Sequence, residues 1–257
     1  MADQRFPNSE RGTDDRGADD RGTRMAAGPA RPADAKARSK GVIFLLTAEG
    51  YTRYDMQTGS GEAPTRRNRQ TGQAIFDNSV EFARNLSHEL RRGYNLDYDP
   101  LEIRYFTSLT DLLGVVPGGD VAGGRWTSAA IVTHATFHPN RQGRKIVPGI
   151  WVTPDGVFAD DLRAFAADSD PEFSDIRGRF DPTGTLHIFA CSGTDADREL
   201  ACAVRAFFGL TGNVFIPRNS IQIRDGGVLY LKVGDEKYRV FDPTRDLVTI
   251  TAADCGG

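Results

Sequence analysis

From Gly41 onward the chain alternates between short apolar runs and amphipathic stretches. Val42 to Leu46 are apolar without a break, the pattern of a strand buried on both faces. Tyr51 to Gly72 is polar and contains the basic cluster "TRRNRQ", which predicts a long loop. Gln73 to Arg92 places Phe76, Val80, Ala83, Leu86 and Leu90 at helical spacing and ends at Gly93, predicting an amphipathic helix. "LEIRYFTS" (Leu101 to Ser108) predicts a second strand, with Thr107 or Ser108 capping a short helix over "LTDLLGVV". The glycine-rich "PGGDVAGGR" that follows predicts a turn, since no phosphate-binding GK[ST] accompanies it.

The same alternation continues. Ala129 to Thr133 predicts a third strand ending at His134. "PGIWVTPDGVFADDLRAF" predicts a small hairpin or extended excursion around Pro154-Asp155-Gly156, then a helix from about Ala159. "TLHIFA" predicts a fourth strand ending at Cys191, and Thr194 to Phe208 a helix with Leu200, Val204 and Phe207 on one face. "NVFIP" predicts a fifth strand, and "SIQIRDGGVLYLKVGDEKYRVFDP" a β-hairpin or meander with Asp-Gly turn signals. Strands alternating with helices imply an α/β fold with a mostly parallel sheet flanked by helices. The terminal hairpin is expected to extend the sheet or cover one edge.

The first 40 residues break this pattern. "RGTDDRGADDRGT" mixes both charge signs and holds no large apolar side chain, so it cannot offset its ordering entropy by burial. Residues 1–40 are expected to be a disordered tail, with partner docking or delivery as its functional reading. Residues 41–250 form the predicted domain and 251–257 a flexible C-terminal tail.

Composition narrows the functional classes. A formal charge of -3 over 257 residues gives no reason to expect nucleic acid or an anionic membrane as partner. No apolar stretch is long enough to span a bilayer, and the N-terminus lacks the order of a secretory signal. Three cysteines, Cys191, Cys202 and Cys255, argue against a disulfide framework and for a reducing compartment. That is most simply cytoplasmic, with export by another route left open. Cys202 is expected as a small core residue and Cys255 as a mobile thiol.

Chemistry concentrates at two predicted strand ends. In open α/β sheets sites form outside the carboxyl ends of the strands, where His134 and Cys191 both fall. A thiolate is a strong nucleophile and an imidazole can manage its proton. A helix beginning just after Cys191 adds partial positive charge and unpaired N–H groups, and Gly193 leaves room for a substrate backbone. His138 competes with His134 as a cleft residue. His88 is expected as a surface or satisfied structural residue of its helix, and His187 as a core or edge histidine with its ring satisfied. No metal or cofactor is expected.

A hydrophobic block ending in His ("AAIVTHAT"), a spacer, and a hydrophobic block ending in Ala-Cys ("LHIFACSG") resemble the caspase-like (clan CD) cysteine peptidases. The likeness is greatest to the bacterial gingipain-like and toxin self-processing domains. It extends over Val42 to Asp242, including the excursion between His and Cys and the hairpin after the fifth strand. The resemblance implies a caspase-like fold and a cysteine endopeptidase acting on a protein or peptide substrate. It makes His134 the acid/base, Cys191 the nucleophile, and the N–H groups of Ala135 and Cys191 the oxyanion donors. The family usually carries Gly directly after the His, so Ala135 is a departure, and a catalytically inactive interaction or scaffold module is the alternative it raises. Substrate-binding residues expected beside the thiol are Glu49, Arg53, His138, Ser192, Gly193 and Arg218. An arginine there would favour an acidic side chain and a glutamate a basic one. The toxin domains bind inositol hexakisphosphate on a basic surface; "TRRNRQ" and "NRQGRK" are the comparable clusters here, and solvated loop charge is their simpler reading. No G-x-S-x-G elbow or P-loop points to another hydrolase chemistry.

Overall fold

The computed structural model describes residues 41–57, 63–93, 102–107, 111, 125–139, 146–151, 156–168, 177–190 and 195–256. The N-terminal tail, the "LTDLLGVV" helix apart from Asp111, and the "PGGDVAGGR" turn apart from Arg125 lie outside them. The first strand, β1 (Gly41–Leu46), is buried along its whole length. Its Val42, Phe44 and Leu46 join one apolar cluster, and Ile43 and Leu45 the other. One strand therefore faces two layers, which is why its sequence shows no polar alternation.

Five more strands build around it: β2 (Glu102–Phe106), β3 (Trp126–Val132), β7 (Phe180–Phe189), β8 (Val214–Pro217) and β12 (Leu247–Ile250). Their order is β12-β8-β7-β3-β1-β2. All neighbours run parallel except β12, which is antiparallel to β8. The protein is thus a mixed α/β fold with a mostly parallel sheet flanked by helices. One face packs on the helices α3 (Ala159–Ala167) and α4 (Asp195–Phe207), which contribute Leu162, Leu200, Val204 and Phe207. The opposite face packs on α2 (Arg66–Gly93) through Phe82, Ala83 and Leu86.

Two small sheets complete the fold. The excursion after His134 is an antiparallel sheet of β4 (Ala135–Pro139), β5 (Ile146–Trp151) and β6 (Gly156–Phe158), leading into α3 at the expected Ala159. The expected terminal hairpin is a meander of β9 (Ile221–Arg224), β10 (Val228–Gly234) and β11 (Lys237–Val240). It forms a sheet of its own and does not extend the main one. Ile221, Leu229 and Leu231 instead join the α2-side core. Gly227 makes this contact possible. It has a φ of 71°, and a Cβ there would sit 2.2 Å from the Phe82 backbone nitrogen, so the turn can lie directly on α2.

Three further expectations need correction. The polar segment 51–72 is not one long loop: α1 (Ala48–Gln57) fills its start and α2 begins at Arg66. Its polarity reflects helices with one buried face. The edge strand β12, reached through the short helix α5 (Pro243–Asp246), was not foreseen. Residues 251–256, expected as a flexible tail with a mobile Cys255, are tied down. Cys255 forms a disulfide with Cys202 of α4, with the Cα atoms 5.3 Å apart. Thr251 N and Oγ1 both donate to Asp254 Oδ2, and Asp254 pairs with Arg198 of α4. The odd cysteine count concealed one bridge and one remaining cysteine. The reducing compartment inferred from the sequence loses its premise. Among the described residues, no helix is long and apolar enough to cross a membrane.

Two predictions follow from this packing. His187 is 4% exposed, stacked on Phe215 at 4.8 Å, and its Nδ1 has no partner among the described residues. Burial pushes its pKa down from 6.5 to about 4, against a smaller opposing hydrogen bond to the Ala129 backbone. The unfolded chain therefore takes up a proton near pH 6.5 that the fold refuses until about pH 4. Stability falls through that window by about 3 kcal/mol from this group. Urea unfolding at pH 7 and pH ~4.5 should show the loss, with a flatter dependence in His187→Leu. The disulfide closes a separation of 53 residues, so reduction or Cys255→Ser should cost about 4 kcal/mol on the chain-entropy account. Thiol titration of the denatured chain should find one free thiol before reduction and three after it, and thermal melting should show the shift.

Candidate functional site

His134 sits where β3 ends and β4 begins. Parallel pairing of β3 with β7 sets Val132 opposite Phe189, and Thr133 N donates to the Phe189 carbonyl at 3.1 Å. The neighbouring chain thus arrives beside His134 at Ala190, which is buried. Cys191, Ser192 and Gly193 lie outside the described residues. So does the side chain of His138, whose backbone belongs to β4.

Helix α1 comes over His134 from the carboxyl end of β1. Tyr54 stacks face to face on the imidazole, with ring centroids 3.9 Å apart and planes 7° from parallel. Tyr51 meets the imidazole edge-on at 5.0 Å. Trp151 of β5 meets Tyr54 edge-on at 5.4 Å. Backbone contacts lock this box together. Trp151 N donates to the His134 carbonyl at 2.8 Å, Thr133 Oγ1 to the Trp151 carbonyl at 2.8 Å, and Trp151 Nε1 to the Gly50 carbonyl at 3.2 Å.

The position of α1 follows from its contact with α2. A Cβ on Gly72 would fall 2.1 Å from Thr52 Oγ1, so glycine is what lets the two helices approach. The Tyr51 hydroxyl and Ser79 Oγ are 3.0 Å apart, and Ser79 donates to the Ile75 carbonyl. At the start of α2, Asn68 Nδ2 donates to Asp55 Oδ2 at 2.9 Å.

The electrostatic outcome is a neutral imidazole. Burial pushes the His134 pKa down from 6.5 to about 4, and the Asp55 carboxylate only partly opposes it. Nε2 is buried with no partner among the described residues. At neutral pH the ring holds a free lone pair, which is what a general base needs.

Ala135 bears on the missing glycine. Carrying the Ala135–Ile150 register back one residue sets His134 opposite Trp151, whose N–H donates to the His134 carbonyl. Bonding pairs alternate along an antiparallel ladder, so Ala135 directs its N–H away from β5. Its backbone is extended within β4; the described residues include one non-glycine of positive φ, Glu236. An L side chain is therefore tolerated at 135 without strain.

The expected substrate-binding charges are placed differently from one another. Glu49 and Arg53 lie on α1 rather than on a loop, and they pair with each other on its exposed side. Arg218 follows β8, and its Nε donates to the Arg245 carbonyl at 2.8 Å. Among the described residues, no group of three or more His, Cys, Asp or Glu is arranged to hold a metal. A separate groove of about 450 Å³ between α2 and the meander is lined mainly by apolar residues, including Phe82, Leu229 and Phe241. The residues around His134 that the sequence did not single out are Tyr51, Tyr54, Asp55 and Trp151. Tyr51 and Tyr54 are one helical turn apart, a signal hidden by the polar residues between them. No protein-family model matches the chain, and no curated protein matches it.

Proposed function

We propose that this protein is a cysteine endopeptidase in which His134 and Cys191 form the catalytic dyad, on a caspase-like arrangement of the α/β sheet. The observation that carries this reading is the β3–β7 register. Val132 pairs with Phe189, and His134 and Cys191 each follow their paired residue by two positions. Two neighbouring parallel strands thus end level with each other, each two residues before a base or a nucleophile in the sequence, and that supports the dyad.

Three further features support the reading. His134 is neutral at physiological pH because burial disfavours its charged form, which leaves an imidazole nitrogen unprotonated, and a thiolate formed beside it would stabilise the imidazolium. The Ala135 N–H points off the β4–β5 ladder and is available to a developing oxyanion. The helix α4 starts at Asp195, and its positive end favours a thiolate on the chain leading into it. The extended backbone of Ala135 accommodates its side chain without strain, which supports an active site over a dead one.

The chemistry then runs in two halves. His134 takes the Cys191 proton, and the thiolate adds to the scissile carbonyl. The oxyanion accepts hydrogen bonds from the N–H groups of Ala135 and Cys191. Collapse of the adduct breaks the C–N bond, with His134 returning the proton to the leaving amine. Water, deprotonated by the neutral imidazole, hydrolyses the thioester and restores the thiol.

Cys191→Ala and His134→Ala should each lower peptide cleavage by about 10³-fold or more while leaving thermal unfolding within a few degrees of wild type. Cleavage profiling of a denatured proteome with wild type and each variant measures this. Undiminished cleavage by Cys191→Ala would overturn the mechanism.

A further inference from the structure

We propose that Tyr54 is a positioning residue for His134: its ring, stacked face to face on the imidazole, fixes the plane in which the buried Nε2 is presented for catalysis. This rests on the dyad reading above. An imidazole's χ2 torsion is intrinsically broad, so a flat group bearing on its face narrows the ring's orientation. Here the Tyr54 ring does so at 3.9 Å and 7°. Tyr54 cannot drift, because Trp151 bears on it from another side.

The helix carrying Tyr54 is itself anchored at three places. Trp151 Nε1 holds the Gly50 carbonyl, Gly72 admits Thr52, and Asn68 holds Asp55. The stack also keeps water from that face of the ring. The charged group of α1 that acts on the imidazole is Asp55. Tyr51 and Tyr54 contribute phenols, and β5 contributes the uncharged Trp151. Glu49 and Arg53 neutralise each other on the outer side of α1. Tyr54 therefore acts on the base through ring contact, and the reacting atoms belong to His134 and Cys191.

The test compares Tyr54→Phe, which keeps the flat ring, with Tyr54→Leu and Tyr54→Met, which fill space without one. Met serves as the second variant if Leu lowers stability. Because Cys202 and Cys255 are joined, iodoacetamide reads Cys191 in the folded protein. Its alkylation rate is followed against pH, alongside NMR titration of the His134 imidazole. Phe should alkylate within about threefold of wild type, and Leu and Met about 10- to 100-fold more slowly, the range expected for a misplaced catalytic group. His134 should titrate near 4 in wild type and in Phe, and move upward in Leu and Met as water enters.

Leu or Met alkylating at the wild-type rate or faster overturns the proposal. So does Phe falling as far as they do, which would assign the effect to the hydroxyl. If His134→Ala leaves the alkylation of Cys191 unchanged, the dyad reading fails by itself. The His134 titration across the Tyr54 variants still decides whether the stack positions the ring.

Discussion

The pairing of β3 with β7 is the constraint on which the candidate site depends. Strand register cannot slip by one residue without turning every side chain to the opposite face. Here both strands are packed on both faces: Ile131, Leu186 and Ile188 go to one core, and Val132 and Phe189 to the other. The two cores therefore lock Val132 opposite Phe189. Residues distant in sequence reach one end of the sheet at one level because apolar burial behind them permits no other alignment.

A second layer of control sits above that sheet end. A histidine at a strand end in open water would titrate near its ordinary value. The aromatic box of Tyr51, Tyr54 and Trp151 removes that water and makes burial the dominant influence on the ring, with Asp55 as a partial counterweight. The box is assembled from three directions: α1, β5, and the α2 residues that hold α1 in place. Its geometry traces back to small features such as Gly72, where a methyl group would force the helices apart. The C-terminus contributes bracing of another kind. The Cys202–Cys255 bridge and the Arg198–Asp254 pair bind the last turn of chain to α4. This holds the helix that follows the Cys191 segment.

Much of the fold was legible from the apolar pattern. β1, β3, β7, β8, α2, α3 and α4 all lie where unbroken or helically spaced apolar residues predicted them. This works because each buries its face locally, in a way period alone can record. The failures share a cause. α1 has a polar sequence and owes its helix to contact with α2, so residues 51–57 looked like loop. The meander was recognised as β structure, but its placement on α2 depends on one glycine turn and could not be read from alternation. The disulfide was missed because cysteine count carries no information about which Cβ atoms meet.

By itself the sequence determined the α/β class, the strands ending at His134 and next to Cys191, and the prominence of those two side chains. These follow from local patterning and from the chemistry of residue types, which survive translation into a one-dimensional string. The tertiary structure alone decided the strand order, the antiparallel β12 edge, the aromatic enclosure of His134, its neutral state, and the tie between α4 and the C-terminus. Each of those is a contact between residues far apart in the chain, and its energy comes from shared burial that neither partner's sequence can express alone.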